Sequence, residues 1–211
     1  MNRVMFVGSN STCQRPLLRV AHVGLLLIVV LSTAVGQSGA DALPFSTAYT
    51  NHSLGFRYMP PTGMLDKTST ERQTIQAKSA ALNAKRVLRL LLALESGRDD
   101  SPAWHSVTIE AYPRNAISEQ DDLKAEAQMS AWVAGVSKAE ATPKQTIISG
   151  QTFAVSLLAL QEDRTRKGAV IWTTIHNGEL LSFAFVANSP ERLNELVQTM
   201  KTVEFFEPAG K

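Results

Sequence analysis

The sequence predicts an α+β fold: a mainly antiparallel sheet with helices packed on both faces. Three observations carry that prediction. From residue 145 onward, four apolar segments follow one another through short turns, and strands joined that way pair antiparallel. Several of these segments are apolar on both sides, which suits a sheet covered on both faces. Two capped helical stripes stand among them, one over 118–136 and one opening at Ser189.

Residues 1–42 read as a signal peptide. Arg3, Arg15 and Arg19 precede the apolar run "VGLLLIVVLSTAVG" (23–36), and Ala40-Asp41-Ala42 offers a small-x-small site for cleavage near Ala42. The apolar run is shorter than the roughly 20 residues of a spanning helix. An uncleaved leader acting as an anchor is the minority reading. Residues 43–211 then form a single domain. The only cysteine, Cys13, lies in the leader, so the mature chain has neither disulfide nor thiol chemistry. The leader holds three of the 21 basic residues and one of the 19 acidic ones, which leaves 18 of each sign and a net charge of zero. Such a balance points to neither nucleic acid nor specific membrane binding after cleavage.

Along the mature chain, "FSTAYTNHSLGFRYMPP" (45–61) predicts two short strands around the turn "NHSLG", closed by Pro60-Pro61. "STERQTIQAKSAALNAK" (69–85) predicts a weak helix capped by Ser69 or Thr70, with Ile75, Ser79 and Leu82 on one face. "RVLRLLLALE" (86–95) reads as a covered strand, because "SGRDDSP" closes it. "WHSVTIEAYP" (104–113) alternates and predicts a half-buried strand, with Val107, Ile109 and Ala111 inward and Thr108, Glu110 and Tyr112 outward. The 118–136 helix has Ser118 as cap and an apolar stripe of Ala125, Met129, Trp132, Val133 and Val136.

Two hairpins and a helix complete the chain. "QTIIS" and "QTFAVSLLAL" are split by Gly150, and "GAVIWTTI" and "ELLSFAFVA" flank Asn177-Gly178. Asn-Gly supplies the two positive φ angles of a type I′ turn. The last helix takes Ser189 as cap and Pro190 as its first residue, and buries Leu193, Leu196, Val197 and Met200.

The stretch "YTNHSLGFRYMPPTGM" resembles a motif that opens members of the PsbP-like superfamily, "Y-x-n-x-x-x-G-F-x-x-x-y-P-x-g-W". Tyr49, Asn51, Gly55, Phe56, Pro60 or Pro61, and Gly63 fit it, while Met64 stands where tryptophan is usual. The terminal "LLSFAFVANSPERLNELVQTMKTVEF" is similar to the hairpin and helix that close the family, so the likeness runs over about 47–206. The resemblance implies a PsbP-like α/β/α sandwich and an exported, mostly non-enzymatic binding or assembly-accessory role. None of the metal-linked residues of the plant photosystem subunit finds a match, so its role does not transfer.

The residues carry little catalytic signature. His52, His105 and His176 show neither H-x-H nor H-E-x-x-H spacing, which leaves a metal site without a signal; loop-end positions account for all three. No G-x-S-x-G, phosphate loop or dinucleotide fingerprint occurs, and no cofactor is expected. Asp121-Asp122 belongs to a first helical turn, where carboxylates suit the helix dipole. "EDRTRKG" (162–168) mixes both signs and reads as a solvated hairpin loop. Trp132 and Trp172 lie on core-facing patterns. Trp104 and Tyr112 are the weak binding candidates, as walls of a pocket. The expectation is an exported non-enzymatic binding or accessory domain with an envelope or secreted protein as a partner. A hydrolase or small-ligand enzyme with a site assembled from scattered polar groups is the alternative, and an envelope structural component held by an uncleaved leader is a third.

Overall fold

The computed structural model describes residues 44–45, 47–81, 89–98, 100–114, 144–162 and 165–208. The leader, the 118–136 helix with Ser118, Asp121, Asp122 and Trp132, and the proposed cleavage site lie outside the described residues. Among the described residues there are two antiparallel sheets and two helices, an α+β architecture. The strands are β1 (Pro44–Phe45), β2 (Tyr49–Asn51), β3 (Phe56–Tyr58), β4 (Met64–Asp66), β5 (Arg89–Ser96), β6 (His105–Pro113), β7 (Lys144–Ile148), β8 (Gln151–Glu162), β9 (Thr165–His176), β10 (Glu179–Ala187) and β11 (Glu204–Phe205). The helices are α1 (Thr68–Ala81) and α2 (Pro190–Thr199), the latter followed by a 3-10 turn at Met200–Thr202.

The large sheet runs β1-β4-β5-β6-β10-β9-β8-β7, and the small one β11-β3-β2. Its last four strands pair with their chain neighbours through two tight turns, as the turn chemistry dictates. Ser149 and Gly150 take φ of 48° and 78°, and Asn177 and Gly178 take 50° and 81°. Both are pairs of successive left-handed residues, whose twist matches the strands they join. The segment around 90 is a strand, as its closing turn predicts, but it carries a bulge. Leu90 faces Glu110 and Leu92 faces Ile109, so Leu91 is the extra residue.

The main core lies between the large sheet and the small one. Phe56 and Tyr58 from the small sheet meet Phe183 edge-on at centroid distances of 5.8 and 5.9 Å. Phe153 meets Phe183 at 6.1 Å. Leu193 and Leu196 of α2 and Met200 join this cluster. Ser189 caps α2 as predicted, its side chain accepting from the Arg192 N–H at 3.3 Å. Helix α1 packs elsewhere: Ile75 meets Leu90 and Ala93, which point away from Leu92 and Leu94 on β5. Its cap differs from the expected Ser69 or Thr70, because Asp66 Oδ1 accepts from the Thr68 N–H at 2.8 Å.

The first hairpin, β2–β3, forms the small sheet with β11. Two expectations need correction. "EDRTRKG" is mostly ladder, since Glu162 pairs with Thr165, Gln161 with Arg166 and Leu160 with Lys167. Strand β6 is not half-buried: Glu110 is 4% exposed and Tyr112 fully buried, on the side expected to face water. Alternation predicts a wet face only where nothing covers it. Ser182 opposite Glu110 and Thr173 opposite Ser182 are likewise buried.

Candidate functional site

Trp104 and Tyr112 do not share a pocket. Eight residues of extended chain separate them, about 27 Å along the strand. Trp104 Nε1 donates to Glu95 Oε1 at 2.7 Å, and its backbone holds the 97–104 loop, donating to Ser101 O and accepting from the Asn188 N–H. Tyr112 packs with Ala154 and Leu180 inside the fold. Both are framework residues.

The histidines are dispersed as well. His105 opposes Ala187 and His176 opposes Glu179, at the two ends of β10, so about 27 Å separates them along the strand. No single ion can be shared over that distance. His105 Nδ1 pairs with the Ala103 carbonyl at 2.8 Å. His52 lies in the 51–55 turn, its ring 6.1 Å from Phe206. His176 does end β9 beside the turn, but it is half-buried rather than an exposed loop end. Its ring stands 4.5 Å from that of Phe205, and Asn177 Nδ2 sits 3.0 Å from its Nε2. Asn177 Nδ2 also donates to the Leu54 carbonyl at 2.7 Å. The Asn177-Gly178 turn thus clamps β11 and the first hairpin to the large sheet.

The buried row of Glu110, Ser182 and Thr173 is the main polar intrusion into the covered side of the sheet. Ser182 Oγ finds no hydrogen-bond partner. With exposures of 4%, 1% and 2%, these side chains are closed to a solute from solvent.

Hydrogen-bonding capacity open toward solvent stands beside the start of β5. Strand β4 pairs with β5 only at Glu95 and Leu94, so among the described residues the earlier edge of β5 has no neighbouring strand. Helix α1 fills the gap with side chains. Thr68 Oγ1 accepts from the Ala93 N–H at 3.0 Å. Arg72 donates through Nε to Leu90 O at 2.8 Å and through Nη2 to Leu91 O at 3.1 Å, satisfying the carbonyls at the bulge. A guanidinium carries five N–H groups, so its Nη1 pair and one further hydrogen remain. Next along the strand, Arg89 pairs with Glu179 across the end of the sheet.

Tyr49 packs against the main core cluster. Its hydroxyl oxygen accepts from Asn51 Nδ2 at 3.2 Å. Asn51 is fixed in turn, since its Oδ1 accepts from the Leu54 N–H at 2.9 Å and from Ser53 Oγ at 2.8 Å. Desolvation raises the Tyr49 phenol above its ordinary value, opposed by the Asn51 hydrogen bond and by the positive charges of Arg72 and Arg89. The phenol therefore stays protonated, with its own hydrogen available to donate. Arg72, Arg89, Glu179 and Tyr49 contribute two guanidiniums, one carboxylate and a phenol. The set is rich in donors, and it contains no nucleophile paired with a base. The motif beginning at Tyr49 names one of its members, but Arg72 and Arg89 lie in segments that carry no binding signature in sequence.

The chain matches no family model and no curated protein. The PsbP-like resemblance therefore rests on its motif and on the order of elements. Among solved structures it is similar to a Bacteroides thetaiotaomicron VPI-5482 protein, with 16% identity over 59% of this chain and 43% of that one, at a TM-score of 0.36. It is also similar to LpqN, described as involved in cell envelope biogenesis of Mycobacterium tuberculosis, with 7% identity over 56% of this chain and 77% of that one, again at 0.36. The chain spans less than half the length of the first. Overlaps this partial carry no argument about what the chain does. Among the described residues no helix is long and apolar enough to cross a membrane.

Proposed function

We propose that the chain is an exported, non-enzymatic binding or assembly-accessory domain of PsbP-like α/β/α type, released from a leader cut near Ala42. The observation that supports the reading best is how its polar groups are spent. His105 stands at the opposite end of β10 from His176, and both half-buried histidines hold framework contacts. Arg72 and Arg89 offer solvent-reachable donors near the start of β5, and the carboxylate of Glu179 there pairs with Arg89 and not with a nucleophile. Such a set can hold a ligand, and it lacks the paired nucleophile and base of a group-transfer site. The sandwich is supported by the packing of the helices, since α1 packs on Leu90 and Ala93 of β5 while α2 lies against β10 and β9 and joins the cluster that holds Leu92 and Leu94.

A capture experiment tests this reading. The exported form, with its N-terminus sequenced, is immobilised and exposed to envelope extract. The reading expects a specific partner to be retained, and retention to fall when Arg72 and Arg89 are both replaced by glutamine. Turnover of an ester, amide or phosphate substrate that requires one of the three histidines would replace it with the enzyme alternative.

A further inference from the structure

We propose that β7, the outer strand of the large sheet, pairs with β7 of a second copy of this chain. Strand β7 (Lys144–Ile148) ends the sheet, and among the described residues its one neighbour is β8. The hairpin turn fixes which of its backbone groups face outward. Ile148 and Gln151 close the two-residue turn at Ser149-Gly150, and the closing pair of such a hairpin exchanges both of its hydrogen bonds. The pattern alternates along the ladder. Ile148, Thr146 and Lys144 therefore turn their N–H and C=O groups to β8, whereas Ile147 and Gln145 turn theirs outward. Thr152, opposite Ile147, accordingly points its carbonyl away from β7 and accepts from Thr174 Oγ1 at 2.7 Å.

The same alternation selects the register. A two-fold axis at Thr146 sets Ile147 opposite Gln145 of the second copy and Gln145 opposite its Ile147, so outward groups meet outward groups. An axis at Ile147 would set Gln145 against Ser149, which has left the strand at a φ of 48°. An axis at Gln145 would set Ile147 against Pro143, which has no N–H to give. The side chains agree with the first choice. Ile147 is 72% exposed, and the pairing lays it beside Gln145 of the second copy and diagonal to the other Ile147. Thr146 meets Thr146, a favourable cross-strand pair. Lysine ordinarily blunts an edge, but Lys144 stands at the end of this one, and its two copies lie about 14 Å apart. The pairing joins two eight-stranded sheets edge to edge. So narrow an interface makes a weak, concentration-dependent dimer. The inference goes beyond the binding reading above and holds whether or not that reading does.

Sedimentation velocity of the exported protein, from micromolar to millimolar concentration, is expected to show a reversible monomer–dimer equilibrium. I147K charges the edge and leaves the β7–β8 ladder in place, so it should weaken the dimer about tenfold or more. Cysteines introduced in a C13S background read the register. T146C should give a disulfide-linked dimer under mild oxidation, because non-hydrogen-bonded partners bring their Cα atoms to about 4.5 Å. Q145C and I147C should cross-link to each other when mixed, and each far less to itself. L157C, on β8 at a residue 73% exposed, reports random collision. This cysteine pattern stands by itself even if I147K disturbs the hairpin. A monomer at every concentration, or cross-linking through L157C as fast as through T146C, would overturn the proposal. A monomer whose I147K variant loses an envelope protein would also overturn it, and would give the edge to a strand of another chain.

Discussion

Arg72 stands with its Nε 2.8 Å from the carbonyl oxygen of Leu90, taking the place of a missing neighbour strand along the early part of β5. The same side chain bonds Leu91 O at the bulge. Edges of this kind otherwise leave backbone groups open to another chain. Arg72→Lys keeps the charge but replaces a planar fork with a point donor. It should cost about 1 kcal/mol of stability, one hydrogen bond, and speed amide exchange in β5. Exchange in β5 unchanged from wild type would mean that water serves these carbonyls equally well.

Gly55 carries a heavier constraint. Its φ is +70°, and a Cβ there would stand 2.2 Å from the backbone oxygen of Phe206. The Phe206 N–H bonds Gly55 O at 2.8 Å, so chain end and first hairpin meet at this residue. Gly55→Ala should cost several kcal/mol, combining strain of about 1–3 kcal/mol with displaced backbone, and should release β11 from β3. Near-wild-type denaturant melts for this variant would contradict the placement of β11.

The Asn177-Gly178 turn separates strain from packing. A Cβ at Gly178 meets nothing within 4 Å, so Gly178→Val tests the φ of +81° alone, at about 1–3 kcal/mol. His176→Thr would be nearly silent for a bare strand end. The ring of Phe205 at 4.5 Å raises the expected cost to about 1 kcal/mol, the worth of an aromatic contact. Melts of the two variants, with Phe205→Leu as a third, measure both terms. Additive losses in His176→Thr and Phe205→Leu would show that the two rings do not act together.

Tyr58 sets the alkaline limit. Its hydroxyl lies 2.7 Å from Thr199 Oγ1, and burial pushes its ionisation above the ordinary value of 10.0, only partly offset by that hydrogen bond. The unfolded chain ionises first, so above about pH 10 the folded state binds more protons and stability falls as pH rises. Tyr58→Phe loses the Thr199 bond, costing about 1 kcal/mol at neutral pH, and should flatten the alkaline decline. Stability profiles of the two proteins from pH 8 to pH 11 check the sign; a parallel decline would assign the titration to another group.

What was legible in the sequence was local. Asn177-Gly178, Ser149-Gly150 and the Ser189 cap act through residues beside them, so turns and α2 could be read directly. The burial of Glu110 and Tyr112 could not, because alternation records side-chain polarity and not what covers the strand. The small sheet escaped because β11 has two residues and depends on Gly55, far away in sequence. The candidate site was half visible. The Tyr-x-Asn pair lies in the opening motif, but Arg72 acquires its role only when α1 meets the bare edge of β5.

The proposed binding role and the enzyme alternative part when the exported protein is incubated with the small-molecule fraction of an envelope extract and every species is followed by mass spectrometry. A heat-denatured sample serves as control. A binding domain retains species that co-elute with the folded protein, with total amounts unchanged over time. Steady consumption of any species by the folded protein, abolished by substitution of His52, His105 or His176, would contradict the binding role.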